Sequence, residues 1–178
     1  MSNKEIIFEG KKAIDSFKGK DERIRVKCKN WKIKDYILGD QLDLIKKIYM
    51  NYQGDSKTYN DYKEAEIIVK RELKSKWLGY KQQDKDRFDL ERLITEEELM
   101  EKLVGSKLKC YYCKKDVLLL FEKVRENLQW TLDRIDNDIG HEYENVVIAC
   151  LKCNLQRRRM DDEKFKFTKQ LKITKIEK

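Results

Sequence analysis

The sequence predicts an α+β protein, with a mainly helical region over residues 1–105 and a zinc-stabilised unit over residues 106–178. Three observations predict it. Apolar residues recur at helical spacing between about residues 40 and 104. Two short apolar segments, near residues 130 and 146, read as strands. Two Cys-x-x-Cys pairs, Cys110/Cys113 and Cys150/Cys153, bracket those strands.

In chain order, residues 1–30 are ambiguous. Lys11 to Phe17 suits a short helix, and Arg23 to Cys28 alternates polar and apolar residues like a strand. From Asp40 to Tyr52 the residues Leu42, Ile45, Ile48, Tyr49 and Tyr52 fall on one helical face. Gly54-Asp55-Ser56 interrupts that pattern. A second helix is expected from Tyr59 to Trp77, with Tyr62, Ala65, Val69, Leu73 and Trp77 in register. Its other face carries Lys63, Lys70, Arg71, Lys74 and Lys76, which would either track phosphates or simply be solvated. Trp77 to Phe88 then reads as a polar turn whose aromatics, Trp77 and Tyr80, either anchor it to the core or stack on unpaired bases. Thr95 and Glu98 form a capping box ahead of Leu99, Met100, Leu103 and Val104, and Gly105 ends that third helix.

Beyond the first cysteine pair, Lys114 to Val124 is a strand or a short buried helix. Trp130 to Ile135 is a strand, Asp136 to Asn145 a loop rich in turn formers, and Val146 to Ala149 a second strand. Leu151 to Met160 is a helix that starts inside the second cysteine pair and carries Arg157, Arg158 and Arg159. Phe165, Phe167, Leu171 and Ile173 suggest a tail packed back on the domain.

Two cysteine pairs of this kind can close a tetrahedral Zn²⁺ site, each presenting two sulfurs on one tight turn. Thiolates favour zinc over magnesium or calcium. Thirty-six residues separate Cys113 from Cys150, more than a simple zinc ribbon uses, so something folded is inserted between the knuckles. Disulfides are the alternative pairing, but the N-terminus has no signal-peptide pattern and Cys28 stands alone. Together with the zinc thiolates, this implies a reducing, intracellular setting. No apolar run approaches the ~20 residues of a membrane span. At 178 residues the chain is one domain or two small ones, and its net charge of +8 with a pI near 9.1 suits a polyanion such as nucleic acid. The absence of proline argues against a long disordered linker.

The order Cys-x-x-Cys, Leu132-Asp133-Arg134-Ile135-Asp136-Asn137, Gly140-His141, Glu144-Asn145-Val146-Val147, Cys150-x-x-Cys153-Asn154 and Arg157-Arg158 resembles the zinc-containing HNH (ββα-metal) endonucleases, in the variety found in phages and large DNA viruses. The likeness covers roughly residues 107–160. It implies a helical N-terminal region followed by a zinc-stabilised ββα-metal domain, acting on DNA or RNA in the host nucleus or cytoplasm, with structural Zn²⁺ on the four cysteines. It also implies a catalytic Mg²⁺ or Mn²⁺ at Asp133 and Asn154, and Asn145 as the residue that orders the loop. Lys152, Arg157, Arg158 and Arg159 would lie against the nucleic-acid backbone.

One departure matters. The family's base, usually a histidine after the metal-binding Asp, is Arg134 here. A guanidinium cannot act as a base near neutral pH, although it can clamp a phosphate. Three readings follow. The base is another group, His141 (the sole histidine) or less naturally Asp136. Alternatively, metal-bound water attacks without a side-chain base. In the third reading catalysis has been lost, and the chain is a zinc-finger DNA- or RNA-binding protein.

Overall fold

A computed structural model describes residues 40–51 and 56–171, and the helix- and strand-like readings of residues 1–30 lie outside them. The chain is mixed α+β. It runs α1 (Gln41–Tyr49), α2 (Ser56–Asp84), a 3-10 turn at Leu90–Arg92, α3 (Glu96–Gly105), β1 (Trp130–Arg134), a 3-10 turn at Tyr143–Asn145, β2 (Val146–Cys150), α4 (Leu151–Arg157) and α5 (Asp162–Gln170).

Side-chain capping starts α1 and α3, the second as the sequence predicts. The Asp40 carboxylate accepts the Asp43 N–H at the head of α1. Thr95 and Glu98 make the reciprocal capping box of α3, each side chain taking the other's backbone N–H. Leu44, Ile45 and Ile48 of α1 meet Ala65, Val69 and Leu73 of α2 and Leu99 and Leu103 of α3 in one buried cluster. That cluster continues without a break through Leu108, Tyr112, Trp130, Leu132, Ile148 and Phe165. The helical region and the cysteine-bearing unit therefore share a core.

The sheet has two antiparallel strands, with Asp133 opposite Val147 and Leu132 opposite Ile148. β1 is buried on both faces apart from Arg134, because α2 covers one side and the cysteine knuckles with α4 cover the other. A Tyr80 hydroxyl accepts the Leu132 N–H at 2.9 Å, so α2 caps a backbone donor of β1 directly.

Four elements differ from the sequence-based expectation. α2 does not stop at Trp77 but runs seven residues further, to Asp84. The stripe Ala65, Val69, Leu73, Trp77, Tyr80, Asp84 keeps helical steps of three and four, and burial of Tyr80 and Asp84 holds this last part in place against Gly79 and a polar sequence. Trp77 and Tyr80 are anchors rather than exposed stacking platforms: the Trp77 indole donates to the Ile94 carbonyl at 2.6 Å. Lys114 to Val124 is neither strand nor helix. Its buried Leu119 and Leu120 N–H groups are satisfied by the Gln41 side chain, at 2.7 and 3.0 Å, while the Gln41 amide donates to the Leu120 carbonyl. α4 ends at Arg157, and Arg158 leaves it with φ of 54°, so only one of the three arginines is helical. In the tail Phe165 is buried, but Phe167 and Leu171 are exposed and Ile173 lies outside the described residues.

Gln41 thus acts as a polar strut between α1 and the inter-knuckle segment. Replacing it by Leu leaves two buried N–H groups without acceptors, at a cost of about 1–3 kcal/mol each. Urea unfolding of Gln41→Leu is expected to show a lower midpoint with an unchanged slope.

Candidate functional site

The four cysteines come together. Cys110, Cys113, Cys150 and Cys153 place their Sγ atoms within 4.8 Å of one another, with Cys113 and Cys150 sulfurs 4.0 Å apart. Zn–S bonds of about 2.3 Å in a tetrahedron require sulfurs about 3.8 Å apart, so the donor set fits a zinc ion. Local structure makes the knuckles. The first is a turn closed by the Lys114 N–H to the Cys110 carbonyl, with Lys114 at φ 59°, and the Tyr111 N–H fastens it to the Ile148 carbonyl of β2. The second is the start of α4, where Cys150 is the N-cap and its sulfur accepts the Cys153 N–H at 3.4 Å.

The electrostatics of the cluster suit a cation. Hydrogen bonding from Cys150 brings the Cys110 thiol down to about 5, so a first thiolate forms readily. That interaction pushes Cys150 far up, and burial followed by the Cys110 charge pushes Cys153 up to about 12. Buried thiolates this close repel one another unless a dication neutralises them.

Beside this centre, Asp133 and Arg157 form a buried pair, 5% and 1% exposed. The Arg157 guanidinium donates to both carboxylate oxygens, at 2.7 and 3.1 Å. It also donates to the carbonyls of Arg134, Ile135 and Met160. Burial would lower its pKa, but Asp133 more than offsets that and holds it charged. The Tyr112 hydroxyl, from the first knuckle, donates to Asp133 at 2.7 Å. Burial and Asp133 push the Tyr112 phenol upward, so it remains a donor. Arg157, expected at the nucleic-acid surface, is therefore an interior residue, because α4 turns that position towards β1.

His141 is also buried, at 4% exposure. Its Nδ1 lies 2.9 Å from Asp84 Oδ1, its backbone N–H donates to Asp84 Oδ2 at 2.6 Å, and its carbonyl accepts the Ile94 N–H. The Tyr80 ring lies 4.8 Å away, tilted by 37°. Burial lowers the His141 pKa below its ordinary 6.5, against the opposing pull of Asp84. Asn145 orders the loop that carries it. The Asn145 amide donates to the carbonyls of Asp136 and Gly140, at 2.9 Å each, and its oxygen accepts the Asp136 N–H. Asp136 itself closes an Asx turn on the Asp138 N–H.

A cleft of about 430 Å³ opens between the C-terminal part of α2, β1 and α4. His141, Asp133, Arg134, Asn154, Arg158 and Lys76 are on its wall. The Asn154 amide is fixed by Thr131 Oγ1 and the Leu132 carbonyl, at 3.1 and 3.0 Å. Lys76, expected on the solvated basic face, instead turns inward to Gln129 and the Trp130 carbonyl. With Asp133 neutralised by Arg157, the cleft carries three cationic side chains and a neutral imidazole, which suits an anion. Lys152 and Arg159 lie exposed outside it, Arg159 paired weakly with Asp138 at 3.6 Å. Among the described residues no helix is long and apolar enough to cross a membrane.

Of the α2 residues at the site, sequence reasoning weighs Lys76 and Tyr80 only as part of a basic face and an aromatic turn, and Asp84 escapes it altogether. A signal did exist: Asp84 is an acid on the continued buried stripe of α2. Compared with family models, curated proteins and solved structures, the chain matches none.

Two outcomes follow. The full chain is expected to hold one zinc per molecule by elemental analysis, and Cys153→Ser to lose the metal together with most of its thermal stability. The second concerns pH. Because the folded state binds the His141 proton less tightly than the unfolded chain, this group's contribution is fully present above about pH 6.5. It is lost as pH falls towards the lower folded value. Unfolding free energy should therefore drop below about pH 6.5, and the drop should be smaller in His141→Gln.

Proposed function

We propose that the chain is an HNH-type endonuclease with a structural zinc centre, acting on the phosphodiester backbone of nucleic acid, DNA foremost. The observation that carries this reading is the neutral, buried His141 on the wall of a cationic cleft beside the cysteine centre. Knuckle, strand, ordered loop, strand, knuckle and helix follow one another as in the ββα-metal fold, and Asn145 and Asn154 occupy the loop and helix positions of that pattern.

In this reading the zinc joins the two knuckles and takes no part in the chemistry. Arg134 and Arg158 hold the non-bridging oxygens of the scissile phosphate, as guanidinium groups do well. His141 Nε2 takes a proton from the attacking water as its oxygen bonds to phosphorus. The P–O bond opposite breaks, and solvent protonates the departing oxygen.

The residues present do not fit a catalytic Mg²⁺ or Mn²⁺ at Asp133 in the arrangement seen here. Three hydrogen bonds, two from Arg157 and one from Tyr112, engage its two oxygens. No step is therefore routed through such an ion. The same pair favours a second reading, a zinc-finger DNA- or RNA-binding protein that keeps the scaffold without cleavage.

The test is a cleavage and binding assay on supercoiled plasmid and a four-way junction, with Mg²⁺, Mn²⁺ or chelator. Asp133→Ala is a poor probe, since it strands a buried guanidinium at a cost of about 3–5 kcal/mol. His141→Gln is the better one, because it removes the base while its amide can still donate to the buried Asp84 carboxylate. It is expected to bind as the parent does but to cut about 10²-fold more slowly or worse. Binding without cutting by the parent under every condition would establish the zinc-finger reading instead.

A further inference from the structure

We propose that Asp84, at the C-terminal end of α2 and outside the cysteine unit, is the positioning residue that fixes the His141 imidazole as its Nδ1–H tautomer and so makes Nε2 the basic nitrogen of the cleft. This rests on the nuclease reading for its catalytic meaning.

Three observations carry it. First, one carboxylate holds both the ring and the backbone of His141, with Oδ1 on Nδ1 at 2.9 Å and Oδ2 on the N–H at 2.6 Å. The imidazole then has neither rotational nor tautomeric freedom, since a carboxylate oxygen accepts and Nδ1 must donate. Second, Asp84 is 1% exposed and has no counter-ion other than this imidazole among the described ion pairs. A carboxylate placed so deep, on a helix end that could have carried an apolar residue, has its hydrogen bonds to His141 as the visible reason for its position. Third, the approach is built for closeness. A methyl group on Gly140 would come within 3.0 Å of both Asp84 Oδ2 and the Phe88 Cβ. A larger residue at 140 would crowd Asp84 and Phe88 and push the histidine loop away from the helix end by a few tenths of an ångström.

The other charged groups bearing on the ring are Arg134 and Asp133 of β1, and the Tyr80 phenol of α2 packs on its face. Asp133 is committed to Arg157 and Tyr112, so Asp84 is the carboxylate bonded to the imidazole. In chemical terms Asp84 stabilises the imidazolium that forms when Nε2 takes the water proton, and it does not itself take that proton.

The chain has a single histidine, so nitrogen NMR of the zinc-loaded, full-length protein labelled at histidine reads this ring alone. The parent is expected to show Nδ1 protonated and Nε2 bare above the titration. In Asp84→Asn the Nε2–H tautomer should become substantially populated, kcat should fall by about 10²-fold or more, and KM and binding should stay within about twofold, with zinc content unchanged. A parent spectrum with Nε2 protonated would overturn the proposal. So would a folded Asp84→Asn variant with the parent's tautomer and pH–rate profile. Should Asp84→Asn fail to fold, the parent's tautomer decides the matter by itself. A parent that shows the Nδ1–H tautomer yet cuts no substrate refutes the nuclease reading while leaving the Asp84–His141 arrangement standing.

Discussion

The buried pair Asp133–Arg157 is the interaction on which the C-terminal half depends. Two charges removed from water at this depth are favourable only if nearly every donor and acceptor is used, and here they are. Arg157 spends its fork on Asp133 and on three carbonyls at the end of β1 and just beyond β1 and α4, while Tyr112 fills a further position on the carboxylate. The pair therefore joins strand, helix and first knuckle at one point. Phe165 of α5 packs edge-on against Tyr112, with ring centres 5.0 Å apart, and extends the same junction to the end of the described chain. The cysteine centre closes the knuckles on one side of this point, and the cleft opens on the other.

The arrangement also sets the cleft's electrical character. A free carboxylate at 133 would repel phosphate and invite a cation. Tied to Arg157, it does neither, and the field is left to Arg134, Arg158 and Lys76. Burial keeps the nearby imidazole neutral, so the cleft offers a lone pair beside these cations, with the Asp84 carboxylate behind the ring.

Much of this was legible in the sequence. The cysteine spacing, the capping box at Thr95, the two strands and the turn formers between them are local signals, and each corresponds to local structure. The misreadings share a cause. Trp77 to Asp84 has a helix-weakening glycine and a polar run, and only tertiary burial of Tyr80 and Asp84 carries the helix through. Three consecutive arginines look alike in one dimension, whereas α4 turns the first inward and ends before the second. Lys114 to Val124 is apolar enough for a strand, yet its backbone partners include a glutamine nearly eighty residues earlier in sequence. Composition shows that such groups exist but not which distant partner they find.

The reach of α2 across the cleft bears on how this protein could be divided or recombined. Asp84, Tyr80 and Lys76 stand before residue 106, whereas the sulfurs, the arginines and the histidine stand after it. A fragment holding only the cysteine-bearing unit would carry every residue of the recognisable pattern and still lack one wall of its cleft. Transplanted onto another protein, that unit would bring its four cysteines but leave its histidine and part of its core exposed to water. The two segments meet at this wall and in the core beneath it, so neither is complete as an independent module.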